Sequence, residues 1–176
     1  RQVSSAASDV YKRQKQISSW ITSKEFHNES IGTHVKSWLT ETGPITNRIK
    51  SNGTFKLELI KDEVGTVNRI DANFLGEDLG EIKIREVLLL SNNKPKVFAR
   101  SLIPNRTIEK GLSELGELGS KPLGDILFEK KIFKKIETVF AKFSESGNLY
   151  WGRKSKYLVK VYPLSVMEIF LLPINE

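Results

Sequence analysis

The sequence predicts an α+β fold: an antiparallel sheet of about six strands with short helices inserted. Three observations point there. Residues 54–60, TFKLELI, alternate apolar and polar positions with the two-residue period of a half-buried strand. Two apolar stretches, 81–103 and 156–172, each carry a turn signal near the middle and read as antiparallel hairpins. The helical stretches between strands are short and broken by glycine and proline.

The elements follow in order. Residues 1–14, RQVSSAASDVYKRQ, have no methionine, no apolar core and no cleavage pattern, so they are not a signal peptide. They read as a non-native tail similar to translated adapter sequence, and 15–176 read as a single domain. Residues 34–40, HVKSWLT, place Val35, Trp38 and Leu39 at helical spacing. Gly43-Pro44 ends that helix, and Pro44 opens a second over 45–50. After the strand at 54–60, residues 61–80 are a polar, Gly-rich connection. Strand 81–90 turns at Ser91-Asn92-Asn93-Lys94-Pro95 into strand 96–103, which Pro104 ends. Two short helical stretches occupy 107–128, separated by Gly116, Gly119 and Pro122. Segment 130–143 fits a helix through Ile132, Ile136, Val139, Phe140 and Phe143, and fits a strand through Ile136, Thr138 and Phe140. The last hairpin, 156–162 with 164–172, is hinged at Pro163.

Composition narrows the function. With 39% hydrophobic and 28% charged residues in 176, the chain has the balance of a folded domain. No apolar run approaches the ~18 residues of a membrane-spanning helix. Zero cysteines exclude disulfides, thiolate metal sites and a cysteine nucleophile. The histidines, His27 and His34, have no acidic cluster beside them, so no metal site is expected. They also leave no plausible Ser-His-Asp order. Of the net charge of +7, the tail contributes Arg1, Lys12 and Arg13 against Asp9, leaving +5 for the rest. Lys130, Lys131, Lys134 and Lys135 are interleaved with isoleucine and phenylalanine and read as a solvated face, not a nucleic-acid surface. Trp151-Gly152-Arg153-Lys154-Ser155 lacks the spacing of a phosphate loop, and Gly116, Gly119 and Gly124 lack that of a dinucleotide fingerprint.

Three charges interrupt apolar strands. Residues i and i+2 share a strand face, so Arg85 lies with Val87 and Leu89, Arg100 with Phe98 and Leu102, and Glu168 with Val166 and Phe170. Two readings stand. Glu168 forms a buried ion pair with one of the arginines, or these residues sit on edge strands in water. Alternatively, they converge on a largely apolar pocket, where guanidiniums suit carboxylate ligands.

From Trp38 to Pro173 the chain resembles the chorismate pyruvate-lyase family. The matching pieces are Trp38-Leu39, Ile84-Arg85-Glu86-Val87-Leu88-Leu89, Phe98-Ala99-Arg100-Ser101-Leu102-Ile103-Pro104 and Leu118-Gly119-Ser120-Lys121-Pro122-Leu123-Gly124. Leu127-Phe128, Trp151-Gly152-Arg153-Lys154-Ser155 and Glu168-Ile169-Phe170-Leu171-Leu172-Pro173 complete the series in the family's order. Pro44 and Lys154 depart from the family's pattern, which bears on the flaps more than on the chemistry.

The resemblance implies an antiparallel sheet whose helical flaps close an internal ligand cavity, with 130–143 mostly strand. It implies a lyase that eliminates enolpyruvate from chorismate to give 4-hydroxybenzoate and pyruvate for ubiquinone biosynthesis. Arg85 and Glu168 match the catalytic positions. Arg85 binds the ring carboxylate, together with the Leu123 backbone N–H, and Glu168 faces the 4-hydroxyl. Ile45 is an apolar wall, and Arg100 a further pocket arginine for the enolpyruvyl carboxylate. Aromatisation drives the reaction, so no cofactor or metal is expected. The implied protein is a cytoplasmic monomer whose partner is the small-molecule substrate, with neither nucleic acid nor membrane insertion. The alternative is a non-catalytic, small-anion effector-binding domain of the same fold, as in transcription regulators.

Overall fold

In the computed structural model, the described residues are 14–76, 79–172 and 174. All of the N-terminal tail except Gln14 lies outside them, as does Pro173 of the closing motif. The strands are β1 (Lys15–Gln16), β2 (Ile21–Thr22), β3 (Phe55–Gly65), β4 (Ile82–Ser91), β5 (Lys94–Pro104), β6 (Phe133–Glu145), β7 (Asn148–Val159) and β8 (Tyr162–Phe170). They form one antiparallel sheet in the order β1-β6-β7-β8-β5-β4-β3, with β2 also paired to β6. Six long strands match the expected number, and segment 130–143 is strand from Phe133 onward, but β7 begins at Asn148, eight residues before the 156–162 strand read from the sequence, and ends at Val159.

The helices are α1 (Ser23–His27), α2 (Thr33–Leu39), α3 (Ile45–Ser51), α4 (Arg69–Leu75), α5 (Asn105–Lys110) and α6 (Leu123–Glu129), with a 3-10 turn at Ser113–Gly116. Thr22 and Glu25 close a reciprocal capping box at the start of α1. Val35, Trp38 and Leu39 of α2 are buried, as the spacing predicted. The Arg48 guanidinium lies 4.3 Å from the Trp38 ring centroid and donates to the Ser37 carbonyl, locking α3 to α2. No helix among the described residues is long and apolar enough to cross a membrane.

Three local expectations change. Residues 61–65 continue β3 past a bulge at Ile60, and α4 follows, with the Asn68 side chain accepting from the Asp71 N–H as its cap. The segment 105–129 holds three helical pieces, not two. The last hairpin turns at Lys160-Val161, where Lys160 has φ 57, and Pro163 is an internal residue of β8 paired with Leu158. In a hairpin closed by two residues, Val159 and Tyr162 are the hydrogen-bonded pair. The nitrogen of Pro163 therefore points away from β7, on the side that β5 reaches only at Ser165.

The sheet is covered on both faces. On one, α1, α2 and α3 bring Phe26, Val35, Trp38, Leu39, Ile45 and Ile49 against Val87, Leu89, Ala99, Trp151 and Phe170. Further along this face, Leu115, Leu118, Leu123, Ile126 and Leu127 pack on Ile103, Val159 and Leu164. On the other, Leu88, Leu90, Phe98, Phe143, Tyr150 and Ile169 pack with Trp20, and Leu75 of α4 meets Ile82, Ile84 and Leu102. Between the first face and its covering helices lies a cavity.

Candidate active site

The cavity holds about 620 Å³ of atom-free space, part of it open to solvent. Its floor is made by Leu57, Arg85, Val87, Leu89, Ala99, Ser101, Tyr157, Arg153, Val166 and Glu168 from five strands, and Lys135 adds a sixth strand at the rim. Cross-strand pairing aligns these in rows. Val87, Ala99, Glu168 and Arg153 form one row, and Arg85, Ser101, Val166 and Ser155 form the next. Its roof comes from the first turns of α3 and α6, through Pro44, Ile45 and Thr46 and through Pro122, Leu123 and Gly124.

The two roof helices begin alike. Pro44 and Pro122 are their N-caps, with ψ 125 and ψ 127, and neither offers a side-chain cap. Ile45 and Leu123 are thus first helical residues, whose N–H groups have no acceptor within their own helices. The helices are latched together across the cavity: the Thr46 hydroxyl donates to the Asp125 carboxylate, and Lys50 stands 3.6 Å from that group's other oxygen.

Arg85 is the dominant charge. It is 1% exposed, on a strand where six of its neighbours are apolar. One terminal nitrogen, Nη2, donates to the carbonyls of Gly119 and Lys121 at 2.9 Å each. Gly119, at φ 54, makes the left-handed turn that brings those carbonyls round. Nε is buried with no hydrogen-bond partner. Arg85 forms no ion pair among the described residues, because Asp62, its cross-strand neighbour on β3, is engaged by Lys83 at 2.6 Å. Burial therefore pulls the Arg85 pKa down, and the Asp62 charge opposes this only in part. A buried guanidinium with a free edge is a receptor for a carboxylate.

Glu168 is paired, but with neither arginine expected from its sequence. Arg153 of β7 lies directly across from it and donates through Nε to Oε2 at 2.5 Å. Arg153 Nη1 also donates to the carbonyls of Leu39, at 3.1 Å, and Glu41, at 2.7 Å. Burial works against the Arg153 charge, yet the charge and hydrogen bond of Glu168, with smaller help from Tyr157 and Glu41, together lift its pKa above the usual arginine value. Tyr157, four residues on along the same strand face, has its phenol pushed up to about 12 by burial and by the same carboxylate.

Of the expected site residues, Arg85, Glu168, Ile45 and Leu123 line one cavity, and Arg100 does not. Arg100 projects from the opposite face, 3.3 Å from both Asp71 and Glu86. There Lys154, buried against the rings of Trp20 and Phe74, meets the other oxygen of Asp71 at 3.1 Å. This network joins α4 to the back of the sheet. The residues that sequence reasoning missed are Arg153, Tyr157 and Lys135. Arg153 and Tyr157 had a signal: Trp151, Arg153, Ser155 and Tyr157 alternate along one strand face.

Comparisons with known proteins place the chain among relatives. The sequence profile of the family described as Chorismate lyase matches residues 14–175. A relative from Pseudomonas putida, named probable chorismate pyruvate-lyase, is 35% identical over 77% of this chain and 80% of its own. Another, chorismate pyruvate-lyase of Pectobacterium atrosepticum, is 28% identical over 87% of this chain and 84% of its own. Among solved structures, the C-terminal domain of a histidine utilization repressor from Pseudomonas syringae shares the fold. It has a TM-score of 0.50 and 9% identity, covering 69% of this chain and 93% of that one.

Proposed function

The chain belongs to the chorismate lyase family, and from that premise we propose that it converts chorismate to 4-hydroxybenzoate and pyruvate. The observation that carries this reading is Arg85: a buried guanidinium, steadied by two carbonyls, with Nε unpaired beside a cavity. In the reaction the C3–O bond breaks with its electron pair leaving on oxygen, C4 loses its proton, the ring becomes aromatic, and the released enolate takes up a proton at its methylene carbon to become pyruvate. Aromatisation supplies the driving force. The work left to the protein is orientation, charge neutralisation and exclusion of water.

In this proposal Arg85 and the Leu123 N–H hold the ring carboxylate. Glu168, held by Arg153 through Oε2, offers its other oxygen to the 4-hydroxyl. Ile45 closes the ring's apolar side. The product would serve ubiquinone biosynthesis, and the enzyme would work as a cytoplasmic monomer. Incubation of the purified chain with chorismate tests the reading. Pyruvate and 4-hydroxybenzoate should appear in equal amounts. Binding of 4-hydroxybenzoate without release of pyruvate would instead mark a ligand-sensing domain.

A further inference from the structure

The charged groups lining the cavity are Arg85, Lys135, Arg153 and Glu168. Arg153 and Glu168 neutralise each other at 2.5 Å. Two cations remain, Arg85 and Lys135, and neither forms an ion pair among the described residues. The substrate of the proposed reaction brings two carboxylates.

Lys135 reaches the cavity because of a backbone irregularity. From Glu145 to Glu137, β6 pairs with β7 in one register; a bulge at Ile136 then shifts it, so that Lys135 pairs with Tyr157. Without the bulge Ile136 would stand opposite Tyr157, on the cavity face. With it, Ile136 is 46% exposed and Lys135, itself exposed to solvent, stands on the cavity side and lines its rim. Bulges beside functional sites commonly re-aim a side chain in this way. The Lys135 ammonium lies 5.5 Å from the centroid of the Tyr157 ring, so the ammonium and that ring lie together at the cavity rim.

Resting on the reading of this cavity as a chorismate site, we infer that Lys135 and Tyr157 form the specificity-determining subsite for the substrate's second carboxylate, the one on the enolpyruvyl group. The topology of the ligand agrees. The ether carbon adjoins the carbon bearing the 4-hydroxyl, so that carboxylate falls on the Glu168 side of the ring, away from Arg85. Tyr157 and Lys135 both lie near enough to Glu168 to feel its charge. The subsite takes the role that sequence reasoning gave to Arg100.

The test compares chorismate, with two carboxylates, and 4-hydroxybenzoate, with one. Lys135→Met should raise KM for chorismate about 10- to 100-fold, the span of a lost charge-assisted bond. The Kd for 4-hydroxybenzoate, by calorimetry, should stay within about twofold. Lys135→Arg should restore most of the chorismate KM, and Tyr157→Phe should raise it by about 3- to 10-fold. If the wild type converts chorismate while Lys135→Met matches it on both ligands, or weakens both equally, the subsite is overturned and the functional reading stands. A wild type that neither binds nor converts chorismate overturns both.

Discussion

Arg153 ties the carboxylate of Glu168 to the main chain of the roof. Its Nε meets Glu168 Oε2 at 2.5 Å, and its Nη1 meets the carbonyls of Leu39 and Glu41, just before the Gly43-Pro44 turn into α3. One side chain therefore sets both a candidate catalytic group and the base of a flap. Removing it as Arg153→Met leaves a largely buried carboxylate and two carbonyls without their donor. The expected loss is about 3–5 kcal/mol, the usual result of breaking one half of a buried pair. Urea unfolding measures it, and Arg153→Lys should recover part. A loss under about 1 kcal/mol would place the pair among exposed ones, which contribute little.

Arg85→Ala should weaken 4-hydroxybenzoate about 10- to 100-fold in a calorimetric titration. Arg85→Lys should not rescue it, because a single ammonium cannot serve the Gly119 and Lys121 carbonyls and a planar carboxylate in the same geometry. Glu168→Gln, by contrast, should keep product affinity within a few-fold and lower kcat, read from pyruvate release. Full turnover in that variant would remove Glu168 from the chemical step.

Which of these residues meet was only partly legible in the sequence. Alternation placed Arg85, Arg100 and Glu168 on apolar strands, and a turn within 91–95 was plain; the structure closes it at Asn92-Asn93, with both residues at positive φ as such a turn demands. Carried straight back from that turn, the register would set Arg85 opposite Arg100. The structure has an extra residue at Lys96, so Arg85 pairs with Ser101 and Arg100 with Glu86. Side chains alternate with a period of two, so that single residue moves Arg100 to the other face. The bulge at Ile136 has the converse effect, turning Lys135 to the cavity side, where it stays exposed at the rim. Neither bulge leaves a glycine or proline signature at the extra residue itself. The Arg153–Glu168 pair depends on the same register information, since it joins strands turned at Lys160-Val161 and not at Pro163.

Arg100 gives the simplest check on that assignment of faces. Arg100→Gln should leave the chorismate KM within about twofold, since its side chain is spent on Asp71 and Glu86 behind the sheet. Asp71→Asn should be more damaging to stability, because it weakens the partner of a buried Lys154 whose pKa burial already lowers. A loss of about 3 kcal/mol or more is expected in urea unfolding. A large KM effect in Arg100→Gln would return Arg100 to the ligand.

The contact between Thr46 and Asp125 joins the two roof helices, so it should govern how readily the cavity opens. Asp125→Ala removes one charge-assisted hydrogen bond and the nearby Lys50 contact, about 1 kcal/mol together on the closed state. Release of 4-hydroxybenzoate, followed by stopped flow, should quicken roughly fivefold, and product inhibition should ease in proportion. An unchanged release rate would show that opening occurs elsewhere.

Tyr157 supplies a pH signature of the folded cavity. Its phenol is pushed up to about 12, by burial first and the Glu168 charge second, from an ordinary value of 10.0. A proton held more tightly in the folded chain than in the unfolded one favours folding. That contribution is complete below pH 10 and is lost as the pH rises through about 12. Tyrosinate absorbance of the wild type minus that of Tyr157→Phe should therefore show a phenol ionising near pH 12, and adding 6 M urea should return it to about 10. Between pH 10 and 12 the wild type should lose more stability than the phenylalanine variant. A difference curve centred at 10 in the folded protein would mean that Tyr157 meets water, and the cavity rim would then be open.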